Sequence, residues 1–223
     1  MGEVIGGILP LALGIAISPI PIIAAILMLL SPKAKGTSVG FLIGWVLGIV
    51  VAVVVFTLLA SIIPEQDPDA SKPISGVIKL LLGAGLLFLA LKQWRGRPKA
   101  GETAALPKWM SAIDSMTTMR GAMLGFLLSA LNPKNLLMAA GAGVIIGTGG
   151  LNGGEITLSI VIFTVIAACS VAVPVIAYLV ATEKMAAPLE ALRGWLVQNN
   201  ATVMAVLLLV IGVVMIGKGI GSF

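Results

Sequence analysis

Long runs without a charged residue dominate the chain: residues 4–30 and 37–63 contain no Asp, Glu, Lys or Arg. A helix needs about 20 apolar residues to cross the ~30 Å hydrocarbon core of a bilayer, and both runs exceed that. Of the 223 residues, 59% are hydrophobic and 10% charged, whereas soluble domains are roughly half apolar and a quarter charged. The first run opens on Glu3 rather than on basic residues and ends without an A-x-A site. It therefore reads as a retained membrane helix and not as a signal peptide.

Six apolar segments emerge, at about 4–30, 37–63, 74–92, 120–147, 155–181 and 201–220. They predict an all-α integral membrane protein whose single membrane domain occupies 1–223. In the third connection, Trp109, Ile113 and Met116 recur at near-helical spacing. In the fifth, Met185, Leu189, Leu192 and Trp195 do the same. Both stretches are expected to form helices lying at the membrane surface, with tryptophan at headgroup level.

Charge sets the expected orientation. Connections one, three and five carry Lys33, Lys35, Arg95, Arg97, Lys99, Lys108, Lys184 and Arg193. The other side has Glu3, Glu65, Asp67, Asp69 and Glu155 against Lys72, and Lys92 and Arg120 sharpen the contrast. By the positive-inside rule the basic connections are cytoplasmic, so both termini face outside the cytoplasmic membrane. The net charge of +5 sits in short loops, where it meets anionic lipid headgroups rather than nucleic acid.

Absent residues narrow the chemistry. Without histidine the chain lacks the HExxH pair of a zinc metalloprotease and the base of a Ser–His protease. The single cysteine, Cys169, cannot form an internal disulfide or act as a dithiol carrier. No Asp or Glu lies well inside any apolar segment, which argues against a cation-coupling carboxylate. No enzyme activity, metal or cofactor is expected.

Two features exceed the needs of plain anchors. Gly40, Gly44 and Gly48, and again Gly143 and Gly147, form small-residue ridges that let helices approach closely. They serve helix packing, a hinge or a homodimer face. The second feature is a pair of helix breakers, Ser18-Pro19-Ile20-Pro21 in the first segment and Asn132-Pro133-Lys134-Asn135 in the fourth. Proline removes a backbone donor and clashes with the preceding turn, so each break frees carbonyls that protein or a water-lined cavity must satisfy. From position 18 to position 132 is 114 residues, about half the chain. The expected architecture is therefore two inverted three-helix repeats, about 4–92 and 120–220, joined by a cytoplasmic linker at about 93–119. Broken first and fourth helices in such a pair point to the substrate site.

Candidate substrate-binding residues are thus Ser18, Pro19, Pro21, Ser129, Asn132, Pro133, Lys134 and Asn135. An ammonium in hydrocarbon marks a cavity or a partner, and its neighbours offer donors suited to an anionic group. The other reading has Lys134 near the basic interface, snorkelling to water. Lys79 and Lys218 read as interface anchors.

The stretches LALGIAISPIPIIAAILMLLSPKA, GFLLSALNPKNLLMAAGAG and WLVQNNATVMAVLLLVIGVVMIGKGI, in this order and spacing, resemble the lysine exporter (LysE) superfamily. The closest likeness is to its actinobacterial branch, the GAP or sulfolipid-addressing (Sap) proteins. The resemblance covers almost the whole chain and implies export or translocation of metabolites, in the mycobacterial branch of glycolipids. It carries over Ser18, Pro19 and Pro21 at the first break and Asn132, Pro133, Lys134 and Asn135 at the second. Amino-acid exporters of the superfamily carry Pro-Gly-Pro at the first break, where this chain has Pro19-Ile20-Pro21. The expected function is export or flipping of a lipid-linked, anionic substrate, with membrane lipids as partners. Export of a small solute such as an amino acid, and a non-transporting scaffold for glycolipid export, are the alternatives.

Overall fold

The structure, a computed structural model, describes residues 1–62, 73–97, 113 and 115–223. These form eight helices: α1 (Gly2–Ala16), α2 (Pro19–Leu29), α3 (Ala34–Ser61), α4 (Pro73–Arg95), α5 (Thr118–Ala130), α6 (Pro133–Gly147), α7 (Gly153–Val180) and α8 (Thr182–Ile220). There is no strand among the described residues. Four helices, α3, α4, α7 and the bulk of α8, are long and apolar enough to cross a bilayer. The pair α1–α2, bent by 50°, makes a fifth if it counts as one span. The chain is a multi-pass membrane protein.

Both breaks fall where proline dictates. Ser18 and Asn132 are the extended N-cap residues of α2 and α6, and Pro19 and Pro133 follow in the first turn. There the missing N–H costs nothing and the fixed φ suits a helix start. The segment expected at 120–147 is thereby divided into helices of 13 and 15 residues, each short of the ~20 needed to span. Elsewhere the ends follow local chemistry. Thr117 Oγ1 accepts from the Arg120 N–H at 3.3 Å. At the start of α7, Asn152 and Glu155 cap each other reciprocally, both bonds being 3.0 Å.

The fifth connection differs from expectation. Instead of a separate surface helix, residues 182–220 form one helix of 39 residues, because neither Asn199 nor Asn200 breaks it. The Asn199 side chain donates to the Trp195 carbonyl at 2.9 Å and leaves the backbone helical. At 1.5 Å per residue α8 is ~58 Å long, nearly twice the hydrocarbon thickness. Its first half therefore extends beyond one span, with Leu189 and Leu196 buried and Leu192 and Trp195 exposed. In the third connection Trp109, Lys99 and Lys108 lie outside the described residues, whereas Ile113 is buried. Glu65, Asp67, Asp69 and Lys72 also lie outside them.

Glycine sets the packing. Gly40 and Gly44 of α3 abut the backbone of Thr118 and Ala122 in α5, and Gly48 abuts Ser129. A Cβ added at Gly121 would stand 2.7 Å from the Thr37 carbonyl oxygen. Further along, Gly143 and Gly147 of α6 would meet Phe56 Cβ at 2.5 Å and the Thr57 carbonyl oxygen at 2.6 Å. Thus α3 runs parallel to α5 and then α6 along most of its length, and the ridge at Gly40, Gly44 and Gly48 is filled from within the chain. Likewise α4 and α8 pack antiparallel, with Gly83 against Gly212 and Gly76 against Gly219. Helix α1 opposes α6 and α8, since Gly14 meets Met138 and Ile211 while Gly7 meets Ile145 and Lys218. These directions put the two chain termini at one end of the bundle and Lys33, Lys35, Lys92, Arg95 and Arg120 at the other.

Candidate functional site

The two breaks meet. Ser18, Pro19 and Pro21 of the first and Asn132, Pro133 and Lys134 of the second line one cavity of about 190 Å³. Ile20, Leu89, Lys92, Gln93, Asn200, Met204 and Leu208 complete its wall. Lys92 and Gln93 lie in the last turns of α4, so the cavity runs from the breaks toward the basic end, where Lys92 is exposed. Among the described residues its polar lining comprises two ammonium groups, three amides and one hydroxyl, with no carboxylate.

Lys134 does not snorkel to water. It is 7% exposed. Its ammonium donates to the Gly14 carbonyl at 2.7 Å and to Ser18 Oγ, and lies 3.7 Å from Met204 Sδ. Local structure explains this placement. Helix α1 ends when the Ile17 N–H takes the Leu13 carbonyl at 2.8 Å, which leaves Gly14 among the last carbonyls without an intrahelical donor. A lysine there satisfies an orphan acceptor and meets the negative end of the α1 dipole. Ser18 Oγ makes no cap bond to α2, where Pro21 at the third position has no N–H to offer.

The second break is closed in the same way. The Leu131 N–H takes the Leu127 carbonyl at 3.0 Å, and the next carbonyl, Leu128, accepts from Asn135 Nδ2 at 3.0 Å. Gly14 and Leu128 occupy corresponding places, each four residues before its cap, and α6 supplies a side chain to both. Asn132 Oδ1 accepts from the Lys134 N–H at 3.0 Å and caps α6.

Two candidate residues lie off the cavity. Ser129 is buried with its hydroxyl donating to the Gly125 and Phe126 carbonyls at 2.9 and 3.0 Å, facing α3. Asn135 is buried behind the break, and its Oδ1 has no partner among the described residues. Conversely, Gln93, Asn200 and Met204 were not singled out by sequence reasoning. The amides at 199–200, polar in an otherwise apolar stretch, were the available signal. Of the other lysines, Lys79 donates to Ser222 Oγ at 3.2 Å and Lys218 lies against Gly7.

A family profile described as Sap, sulfolipid-1-addressing protein, matches residues 8–221. The chain belongs to the Sap family. No curated protein and no solved structure matches it. The matched region of this Sap-family chain includes both breaks, the cavity wall named above and the glycine contacts of α3 with α5 and α6 and of α4 with α8.

Proposed function

We propose that this Sap-family protein exports or flips a lipid-linked anionic molecule across the cytoplasmic membrane. The observation that carries this reading is the cavity at the two breaks, which holds Lys92 and Lys134 and, among the described residues, no acidic one. Oppositely charged groups are drawn into such a concave, single-sign site. The family's description names a sulfolipid, and a sulfate headgroup has the matching charge. The cavity is smaller than the ~300–1,000 Å³ typical of pockets that enclose a whole drug-sized ligand. It therefore admits a headgroup and leaves acyl chains in the bilayer. The same volume favours a second reading, export of a small solute such as an amino acid.

The proposed architecture is six spans in two inverted halves, of the kind found in the lysine exporter superfamily. Its support is the pattern of packing. Exchanging α1–α2 with α5–α6, α3 with α7 and α4 with α8 maps most of the larger contacts onto contacts: α3 packs on α5 and α6, α7 on α1 and α2, and α4 on α8. The two broken segments also run in opposite directions. Under the positive-inside rule the basic end is cytoplasmic, so the cavity faces inward. The chemistry is transport, with no catalytic group, cofactor or metal invoked.

The test is reconstitution in phosphatidylcholine liposomes. Scrambling of NBD-labelled sulfatide is compared with counterflow of radiolabelled amino acid, for wild type and Lys134→Ala. Sulfatide movement lost in Lys134→Ala supports the lipid reading. Amino-acid counterflow alone replaces it with the solute reading, and neither activity leaves an accessory scaffold.

A further inference from the structure

Lys134 is not the only cation turned toward α1. From Gly14 to Gly7 is seven residues on one face of that helix, or ~10 Å at 1.5 Å per residue. At Gly7 an added Cβ would stand 2.8 Å from Lys218 Nζ and 3.1 Å from Ile145 Cγ2. Lys218 is half-buried, and its ammonium has no hydrogen-bond or ion-pair partner among the described residues. An anchoring lysine sends its ammonium to the membrane surface. This one lies against the side of a helix, in line with Lys134.

The space between the two ammonium groups is filled, not open. Met138 and Ile211 press on Gly14, while Leu11 and Met215 press on Gly141. All four side chains are under 5% exposed, and none is acidic. Methionine has three rotatable bonds and no branch, so it can change rotamer and clear space while the backbone stays fixed. Glycine on the facing helices leaves the side chains as the principal obstruction. The cavity opens at the Lys134 end, toward the basic face, and the seam beyond Lys134 is closed.

The geometry points to the seam between α1, α6 and α8 as the outer half of an anion path, with Lys218 as its exit site and Met138 and Met215 as its plug. This rests on the reading that the inner cavity takes an anion. A negative headgroup leaving Lys134 meets its next positive charge at Lys218, without crossing a carboxylate. The path takes an anionic group such as a sulfate, sulfonate or phosphate and discriminates against cations.

The test uses the full chain in phosphatidylcholine liposomes with Cys169→Ser as background. Met138→Cys and Met215→Cys are each made with Lys218 and with Lys218→Gln. Each is reacted with an anionic sulfonatoethyl thiosulfonate and with its cationic trimethylammonioethyl counterpart. Leu209→Cys, on an exposed apolar face, controls for entry from lipid, and Leu11→Cys replaces any variant that is not monodisperse. With Lys218 present, the seam cysteines are expected to react at least about tenfold faster with the anionic reagent, after correction for the rates on free cysteine, as a single-sign cleft concentrates counter-ions. Lys218→Gln removes that preference at Met215→Cys, and Lys218→Arg retains it. Equal rates with both reagents, or no reaction at any seam position, overturns the path. If the path reacts as expected but sulfatide does not move, the cargo reading fails and the path stands. If sulfatide moves and the seam is inert, the path fails and the cargo reading stands.

Discussion

The ammonium of Lys134 donates to the carbonyl oxygen of Gly14 at 2.7 Å, tying the start of α6 to the end of α1. The lysine thus completes a helix end that the chain itself interrupts at Ser18-Pro19, while its charge lines the cavity. Lys134→Met keeps the bulk and removes the donor. Leaving a buried carbonyl unpaired costs about 1–3 kcal/mol, so the variant is expected to unfold correspondingly more easily in a denaturant titration in detergent micelles. An unchanged midpoint would show that the carbonyl finds another donor.

Asn135 performs the corresponding task for the Leu128 carbonyl but does not line the cavity. Asn135→Leu is expected to cost a similar ~1–3 kcal/mol of stability and to leave binding of sulfatide to the micellar protein unchanged. This separates closure of a break from contact with a ligand. A loss of binding equal to that of Lys134→Met would contradict the separation.

Much of this is legible from the sequence and some of it is not, for physical reasons. Charge-free runs expose the membrane helices, and Pro19 and Pro133 mark where two of them must break. The continuity of α8 past Asn199 and Asn200 was not legible, since an amide that bonds back to its own helix at Trp195 leaves no trace in composition. The cavity wall contributed by Lys92, Gln93, Asn200 and Met204 was hidden for another reason. It exists because Gly76 and Gly83 let α4 settle on Gly219 and Gly212 of α8, and that register is tertiary. The glycine ridge on α3 was readable as a ridge, but its partner α5 was not.

That partner is sensitive to a single methyl group. At Gly125 an added Cβ runs into the Phe41 carbonyl oxygen and stands 2.8 Å from the Trp45 nitrogen. Both are backbone atoms that cannot rotate away. Gly125→Ala is expected to lower stability by about 1–3 kcal/mol through overpacking, whereas Gly194→Ala, with nothing within 4 Å, leaves it unchanged or higher. Thermal unfolding of the two variants side by side checks this. Equal midpoints would mean that α3 and α5 can separate freely.

Lys92 is exposed at the mouth of the cavity, so its contribution is long-range attraction rather than a fixed bond. Lys92→Glu is expected to weaken binding of anionic sulfatide several-fold at low salt. Salt should narrow the difference, because the Debye length shrinks from ~30 Å at 0.01 M to ~10 Å at 0.1 M. Binding titrations at the two ionic strengths decide. A salt-independent deficit would place Lys92 in direct, shielded contact.

The glycine contacts also divide the molecule mechanically. Helices α3, α5 and α6 touch backbone to backbone, and so do α4 and α8, making two stiff blocks whose internal spacing is fixed by atoms with no freedom to turn. The cavity lies where these blocks face each other across α2. What joins the facing walls there is side-chain contact, with the Lys134 ammonium resting on the Met204 thioether and Met215 packed on Gly141. Sliding one block past the other disturbs no close backbone contact within either. Under the proposed transport reading, a change of access would be a matter of bearing and clearance at that joint.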